Sequence, residues 1–405
     1  MISSRLQWTS PRVDFRNQRF VWWLFVATAM ILSGVSAALA GPREQAERIH
    51  DRLAGVPPSE AVLDSMTTAI AGNASSGPLA AANIAMQNPN FYGVTLKNFA
   101  APWTNRDQSV FVPLNDYIAL VIGMVRDDVP FNQILTGDLL YVAPGVAPAA
   151  SAASNDHFAA LETRMRQPTF NQSELQQTTQ SGTYGTPSAA TAGAITTRAA
   201  AEAFFIAGTN RAMFRFTLMN HMCMDMEQVH DTSIVPDQIR QDVSRSPGGD
   251  SRVFLNNCIG CHAGMDPLAR AFAYYNFNTT SGRIEYTAGQ VQPKYFNNNA
   301  TFGDGFITPD DAWNNHWRQG QNALIGWNTN LPGAGNGAKS LGTELAGSHA
   351  FAQCQVTKVF KAVCLRAPGD SADRAEVESM TSSFVGGGYQ MKPLFAESAK
   401  YCMGN

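Results

Sequence analysis

After residue 40 the chain repeats apolar positions mainly with helical period. In "QAERIHDRLA", residues 45–54, Ala46, Ile49 and Leu53 fall on one face, the spacing of an amphipathic helix. Gly55 and Pro57-Pro58 stop that helix, and Ser59 is placed to cap the next, where Val62, Leu63, Met66 and Ile70 stay in phase. A further helical block starts at Asn115, with Ile118, Val121 and Val125 in register. It is broken by "DDVPF" and closes with "NQILTGDLLYV". Residues 142–200 lose the period and become rich in Ala, Ser, Thr, Gln, Gly and Pro, the composition of a linker or long surface excursion. One short helix is predicted within them at "HFAALETRM". Helix returns at Ala201 and runs, with a break at Gly208, to about Gln228. Pro247-Gly248-Gly249 reads as a turn and Asp250 as the cap of a helix that enters "CIGCH". Residues 281–340 mix Gly, Asn and aromatics with strand-like pieces such as "RIEYT", and Thr308, Pro309 and Asp311 read as a helix start. Three helices close the chain, at about 349–366, 372–384 and 392–402. The expected fold class is mainly α: a helical domain at 41–141, a low-complexity linker at 142–200, and a helical domain at 201–405 with an irregular insertion.

The first forty residues change the picture of where this fold works. Arg5, Arg12, Arg16 and Arg19 precede the apolar run "FVWWLFVATAMILSGV", and small residues at Ala38 and Ala40 follow. That order is a secretory signal peptide at 1–40, with cleavage expected after Ala40. An uncleaved anchor is the alternative, but the run is short for a membrane span. The mature chain is expected to contain no span and to work outside the cytoplasm. The whole chain has 29 Lys and Arg against 32 Asp and Glu. The leader takes four Arg and one Asp, leaving 25 against 31, a net charge of about −6, which gives no basic surface for nucleic acid.

Six cysteines remain: Cys223, Cys258, Cys261, Cys354, Cys364 and Cys402. An even count suits an oxidising compartment. Cys354 and Cys364 lie ten residues apart on one predicted helix, beyond disulfide reach. Outside the CIGCH box, Cys402 is therefore expected to pair with one of them and Cys223 with the other.

Three chemistries place two cysteines three apart and then a histidine. A structural zinc site needs four ligands, usually from two such knuckles, and no second C-x-x-C is present. A thiol oxidoreductase would open a helix after a strand in a βαβ unit, which the surrounding pattern lacks. The third is covalent attachment of c-type haem, in which Cys258 and Cys261 bond the vinyl groups and His262 is the proximal iron ligand. The spacing suits it: two thioethers span one porphyrin edge and the next residue swings its imidazole under the iron. Export agrees with it, because attachment takes place outside the cytoplasm. One covalent haem c, held by Cys258, Cys261 and His262, is the expected cofactor. The chain carries no Ser-His-Asp order, phosphate loop or Rossmann glycines.

Phe254, four residues before Cys258, resembles the aromatic on the N-terminal helix of class I cytochromes c that packs against the C-terminal helix. "CIGCHAGMDPLARAFAYYNF" also resembles the haem segment of the planctomycete-type cytochrome c-associated proteins, whose pattern runs C-x-x-C-H-x-x-x-D-P-x-G, with Ala269 here in place of the last Gly. "RIHDRLAGVPPS" and "RDDVPFNQILTGD" resemble that group's N-terminal helical domain, and "SHAFAQCQVTKVFKAVCLRAP" its C-terminal one. The resemblance implies an exported, bacterial, periplasmic, mostly helical protein whose domain 201–405 is cytochrome c-like; it implies no particular reaction. By analogy with class I cytochromes, the Pro267 carbonyl is a candidate acceptor for His262 Nδ1–H. On the same analogy Met391, just before the last helix, is the candidate distal iron ligand, with His221 and His316 as alternatives. Met265 is too close to His262 to reach the opposite haem face. His349 reads as a solvated helix start, and His50, His157 and His230 as surface residues. The aromatic stretch from Tyr274 to Trp327 is expected to wall a haem face or fill the core. The expected function is single-electron transfer between partner proteins. The alternatives are a haem-dependent oxidoreductase, or its accessory subunit, with an open iron position, and a structural haem protein of the cell envelope.

Overall fold

The amphipathic spacing of the first mature segments folds as expected, into helices Pro42–Ala54 and Glu60–Gly72. Ala46, Ile49, Leu53, Leu63, Met66 and Ile70 are all buried. Described here, in a computed structural model, are residues 40–206, 208–296 and 305–404. The basic leader and apolar run assigned to the signal peptide therefore lie outside the described residues.

The chain is mainly helical. Gly77–Ala85 and Asp116–Arg126 follow the first two helices, and Asn115 caps the latter by accepting from Ile118 N. The chain closes on Gly337–Ala346, His349–Cys364, Ser371–Gly386 and Met391–Tyr401. Ser348 Oγ accepts from Phe351 N, and Asp370 accepts from Asp373 N, so that the third of these helices starts at Ser371, one residue earlier than read from sequence. Among the described residues strands are few and short: three antiparallel pairs, among them Tyr275–Asn278 with Arg283–Tyr286, the second containing the expected "RIEY". Thr308 and Pro309 do not start a helix; they lead into the strand Ala312–Asn314.

The expected linker is not one. Residues 142–200 contain the helix Asp156–Met165, and Phe158, Leu161, Tyr184, Ala192, Ala194 and Ile195 join the main core. Small residues here permit close approach rather than looseness: a Cβ on Gly193, whose φ is +54°, would lie 2.2 Å from the Ile134 carbonyl oxygen. Nor do residues 41–141 keep a core of their own. The last helix packs on Gly77–Ala85 and Pro42–Ala54, so first and last segments share one apolar cluster. Pro42–Met403 is a single compact unit without the expected domain boundaries.

Two disulfides tie this unit, Cys223–Cys354 and Cys364–Cys402. This is one of the two pairings left open once Cys354 and Cys364 are separated by ten residues of one helix. Cys258 and Cys261 stay unpaired.

Candidate functional site

Asp250 accepts from Arg252 N and starts a helical run through Ser251–Val253 and a π-helical turn at Phe254–Cys258 into Ile259–Ala269. The CIGCH box thus lies on the first turn of a helix, with Cys258 at its cap. Gly260 and Gly264, four apart, form the close-packed side. A Cβ on Gly260 would meet the His230 ring at 2.5 Å, and one on Gly264 the Trp317 indole at 1.9 Å. At about 100° per residue, His262 points roughly 200° away from Gly260, with Cys258 and Asp266 on its side of the helix. Of the aromatic stretch, Trp317 packs on the back of the motif helix, against Gly264.

Phe254 is buried in a small cluster with Ile239, Val243 and Ala263, under the Arg245 guanidinium at 5.0 Å from the ring. It does not meet the last helix. The N-terminal to C-terminal helix crossing implied by class I cytochromes is therefore replaced here by packing against a neighbouring loop.

His262 Nδ1 lies 3.1 Å from Asp266 Oδ1. Its side chain is 21% exposed, and Nε2 has no hydrogen-bond partner among the described residues. Pro267 does not take the Nδ1 proton. It sits inside the helix, where its carbonyl points toward the C-terminal end, away from the previous turn. A side chain four residues on does reach back.

Asp266 is fully buried and held from three sides. Arg211 Nε donates to Oδ1 at 2.7 Å and Nη2 to Oδ2 at 2.9 Å, while Arg240 N donates to Oδ2 at 3.2 Å. Arg211 also forks onto Asp242 with two bonds of 2.8 Å. Arg240 lies over the Tyr295 ring and donates to Tyr295 O and Thr308 Oγ1. Burial alone would raise the Asp266 carboxyl, but Arg211 and His262 hold it well below the usual carboxylate range. Asp266 is therefore ionised.

Cys261 is half-buried beside the Met226 carbonyl. Burial, then the nearby Glu227, pushes its thiol up. Among the described residues no three His, Cys, Asp or Glu side chains gather as metal donors, so nothing completes a zinc knuckle. The donor set does fit a covalently attached haem: two thiols one turn apart, spared from the disulfides, beside an imidazole anchored through Nδ1 and free at Nε2.

Of the candidate distal ligands, Met391 and His221 are elsewhere. Met391 is 1% exposed in the main core, and its helix has no substantial packing with the motif helix. His221 is buried, with Nε2 2.6 Å from the Tyr117 hydroxyl, and burial holds it neutral. His316 lines a cavity of about 490 Å³ with Ser233, Ile234, Val235, Asp237 and Gly320, and its turn touches the motif helix. Met265 is buried in the core. His349 is exposed, 3.3 Å from Glu378. His50 and His157 are not surface residues. Both are 2% exposed, each with Nδ1 2.8 Å from a backbone carbonyl, of Val56 and Pro148 respectively. His230 is half-buried against Gly260.

Sequence reasoning missed Asp266 as the partner of His262, although H-x-x-x-D on a helix is the i,i+4 signal for it. Arg211 and Asp242 carry no such signal, because they arrive from distant segments. Compared with protein-family models, curated proteins and solved structures, the chain matches none. Among the described residues no helix is long and apolar enough to cross a membrane.

Proposed function

We propose that this is an exported, periplasmic protein carrying one haem c, bonded through Cys258 and Cys261 with His262 on the iron, and passing single electrons between partner proteins. One observation carries the reading. Four of the six cysteines are consumed by disulfides, and the two left unpaired stand one turn apart beside a histidine anchored at Nδ1 and free at Nε2. The bound haem would supply one-electron redox chemistry; the chain holds it, orients its axial imidazole and sets its potential. His262 is kept in place by Asp266, and the side of the helix opposite it is closed by Trp317 and His230.

A second reading has its own support. Met391 and His221 are committed to the core, which leaves the sixth position without either of them, while the turn carrying His316 touches the motif helix. An iron whose sixth position His316 does not fill would be exchangeable, as in a haem-dependent oxidoreductase. A pyridine haemochrome spectrum with mass spectrometry of the exported protein tests both readings. A chain without covalent haem removes them together. If haem is present, the optical and magnetic spectra decide between them: two strong protein ligands favour the carrier, a water-bound or open iron the oxidoreductase.

A further inference from the structure

Of all polar groups outside the motif itself, the Arg211–Asp266 pair makes the most specific contact with it. We infer that Asp266 is a positioning residue for the haem ligand: it fixes His262 as the Nδ1–H tautomer and lends the imidazole negative charge, biasing the site toward the oxidised iron. The inference rests on the haem reading above.

Both Asp266 oxygens already accept from obligate donors, Arg211 Nε and Nη2 and Arg240 N, so Asp266 is the acceptor and the proton between the two groups belongs to His262 Nδ1. The Nε2 lone pair is then the one presented outward, the form required of an iron ligand. Such outer partners orient a ligating histidine and raise its basicity. A carboxylate does more than the backbone carbonyl expected from the class I analogy, because it brings a full charge. Asp266 is also unable to swing away: Arg211 and Arg240 N occupy both its oxygens.

Arg211 sets how much of that charge reaches the imidazole. Its Nε and His262 Nδ1 share the same oxygen, Oδ1, at 2.7 and 3.1 Å. The guanidinium competes for the acceptor and neutralises it in part. Its second fork, on Asp242, fixes its own position. Asp266 and Arg211 therefore act on the imidazole with opposite sign, which separates this role from simple scaffolding.

The experiment is a spectroelectrochemical titration of the mature holoprotein and two variants, with nitrogen-15 NMR of the histidine rings. Asp266→Asn, which keeps the shape and removes the charge, is expected to raise the midpoint potential. Arg211→Gln, which frees the carboxylate, is expected to lower it. Shifts in the same direction, or none, overturn the inference. If neither variant accumulates, the wild-type spectrum still decides: a His262 Nδ1 proton protected from exchange and bonded to the Asp266 carboxylate supports it, and an Nδ1 proton that exchanges freely with solvent overturns it. Should the wild-type haemochrome be negative, the proposed function fails by itself. The tautomer measured on that haem-free chain then judges the Asp266 pairing, with Nδ1–H supporting it and Nε2–H rejecting it.

Discussion

Gly264→Ala sets two effects of opposite sign against each other. In a solvated helix the change is favourable by about 1 kcal/mol, because glycine loses more backbone freedom. Here the added Cβ would sit 1.9 Å from Trp317 Nε1, 2.5 Å from Cε2 and 2.9 Å from Cδ1. Carbon atoms pack at about 3.5–4.0 Å, so the indole or the helix must give by more than an ångström. The indole has little room to do so. Trp317 is fully buried, its backbone N–H donates to Asn315 Oδ1 at 3.0 Å, and its carbonyl accepts from Trp327 Nε1 at 2.9 Å. Overpacking of this kind costs about 1–3 kcal/mol, and the rigid surroundings place this site at the upper end. The net expectation is a loss of about 2 kcal/mol. Equilibrium urea unfolding with disulfides intact, followed by far-ultraviolet circular dichroism, measures it. Gly386→Ala is the control: nothing lies within 4 Å of its Cβ, and it ends an exposed helical turn. Trp317→Phe in the Gly264→Ala background should recover part of the loss. A Gly264→Ala protein as stable as wild type would refute the close packing of the motif helix on Trp317.

Cys258→Ala with Cys261→Ala is expected to abolish covalent haem and leave little stable protein; abundant folded double variant would show that haem is peripheral to the fold. Non-reducing peptide mapping should find Cys223 bonded to Cys354 and Cys364 to Cys402, and Cys223→Ser with Cys354→Ser should cost more than loss of the other bond. Loop closure gives about 5 kcal/mol for the separation of 131 residues and about 4 for that of 38. Burial pushes the Lys294 ammonium down to about 7, with Nζ donating to Phe205 O. Between that value and the ordinary lysine range the unfolded chain holds a proton the folded chain has lost, so stability rises with pH. From pH 7 to 9 wild type should gain on Lys294→Met by no more than about 1.4 kcal/mol per unit, measured by urea unfolding at each pH; parallel curves would remove Lys294 from the account.

Helices with a one-sided apolar stripe were legible without a structure. Ala46, Ile49 and Leu53 marked the first, and Ser348 marked the start of His349–Cys364. Helix rise, a property local to one segment, excluded a Cys354–Cys364 bond, and the fold chose between the two pairings that remained. What composition concealed was packing between distant segments. Ala192 and Ala194 look like linker residues because their type is small, yet they are buried because Gly193 comes against the Ile134 carbonyl. His50 and His157 have polar neighbours in sequence, but each finds a backbone carbonyl that only the fold supplies. The candidate site divides in the same way. Cys258, Cys261 and His262 are contiguous and visible, and Asp266 is one helical turn further. Arg211, which fixes Asp266, lies 55 residues upstream, where spacing has no meaning. Met391 drew attention through an analogy about helix order, and the last helix packs on the first ones instead.

The bond between Cys223 and Cys354 closes the stretch carrying CIGCH into a covalent ring. A protease that cuts once anywhere inside that ring separates no fragment. On a denaturing gel the clipped chain would run as one molecule until a reductant divides it. In an envelope where proteases are present and thiol reductants scarce, the motif would stay tethered at both ends through such damage. A nick there is a change of topology rather than a loss of mass.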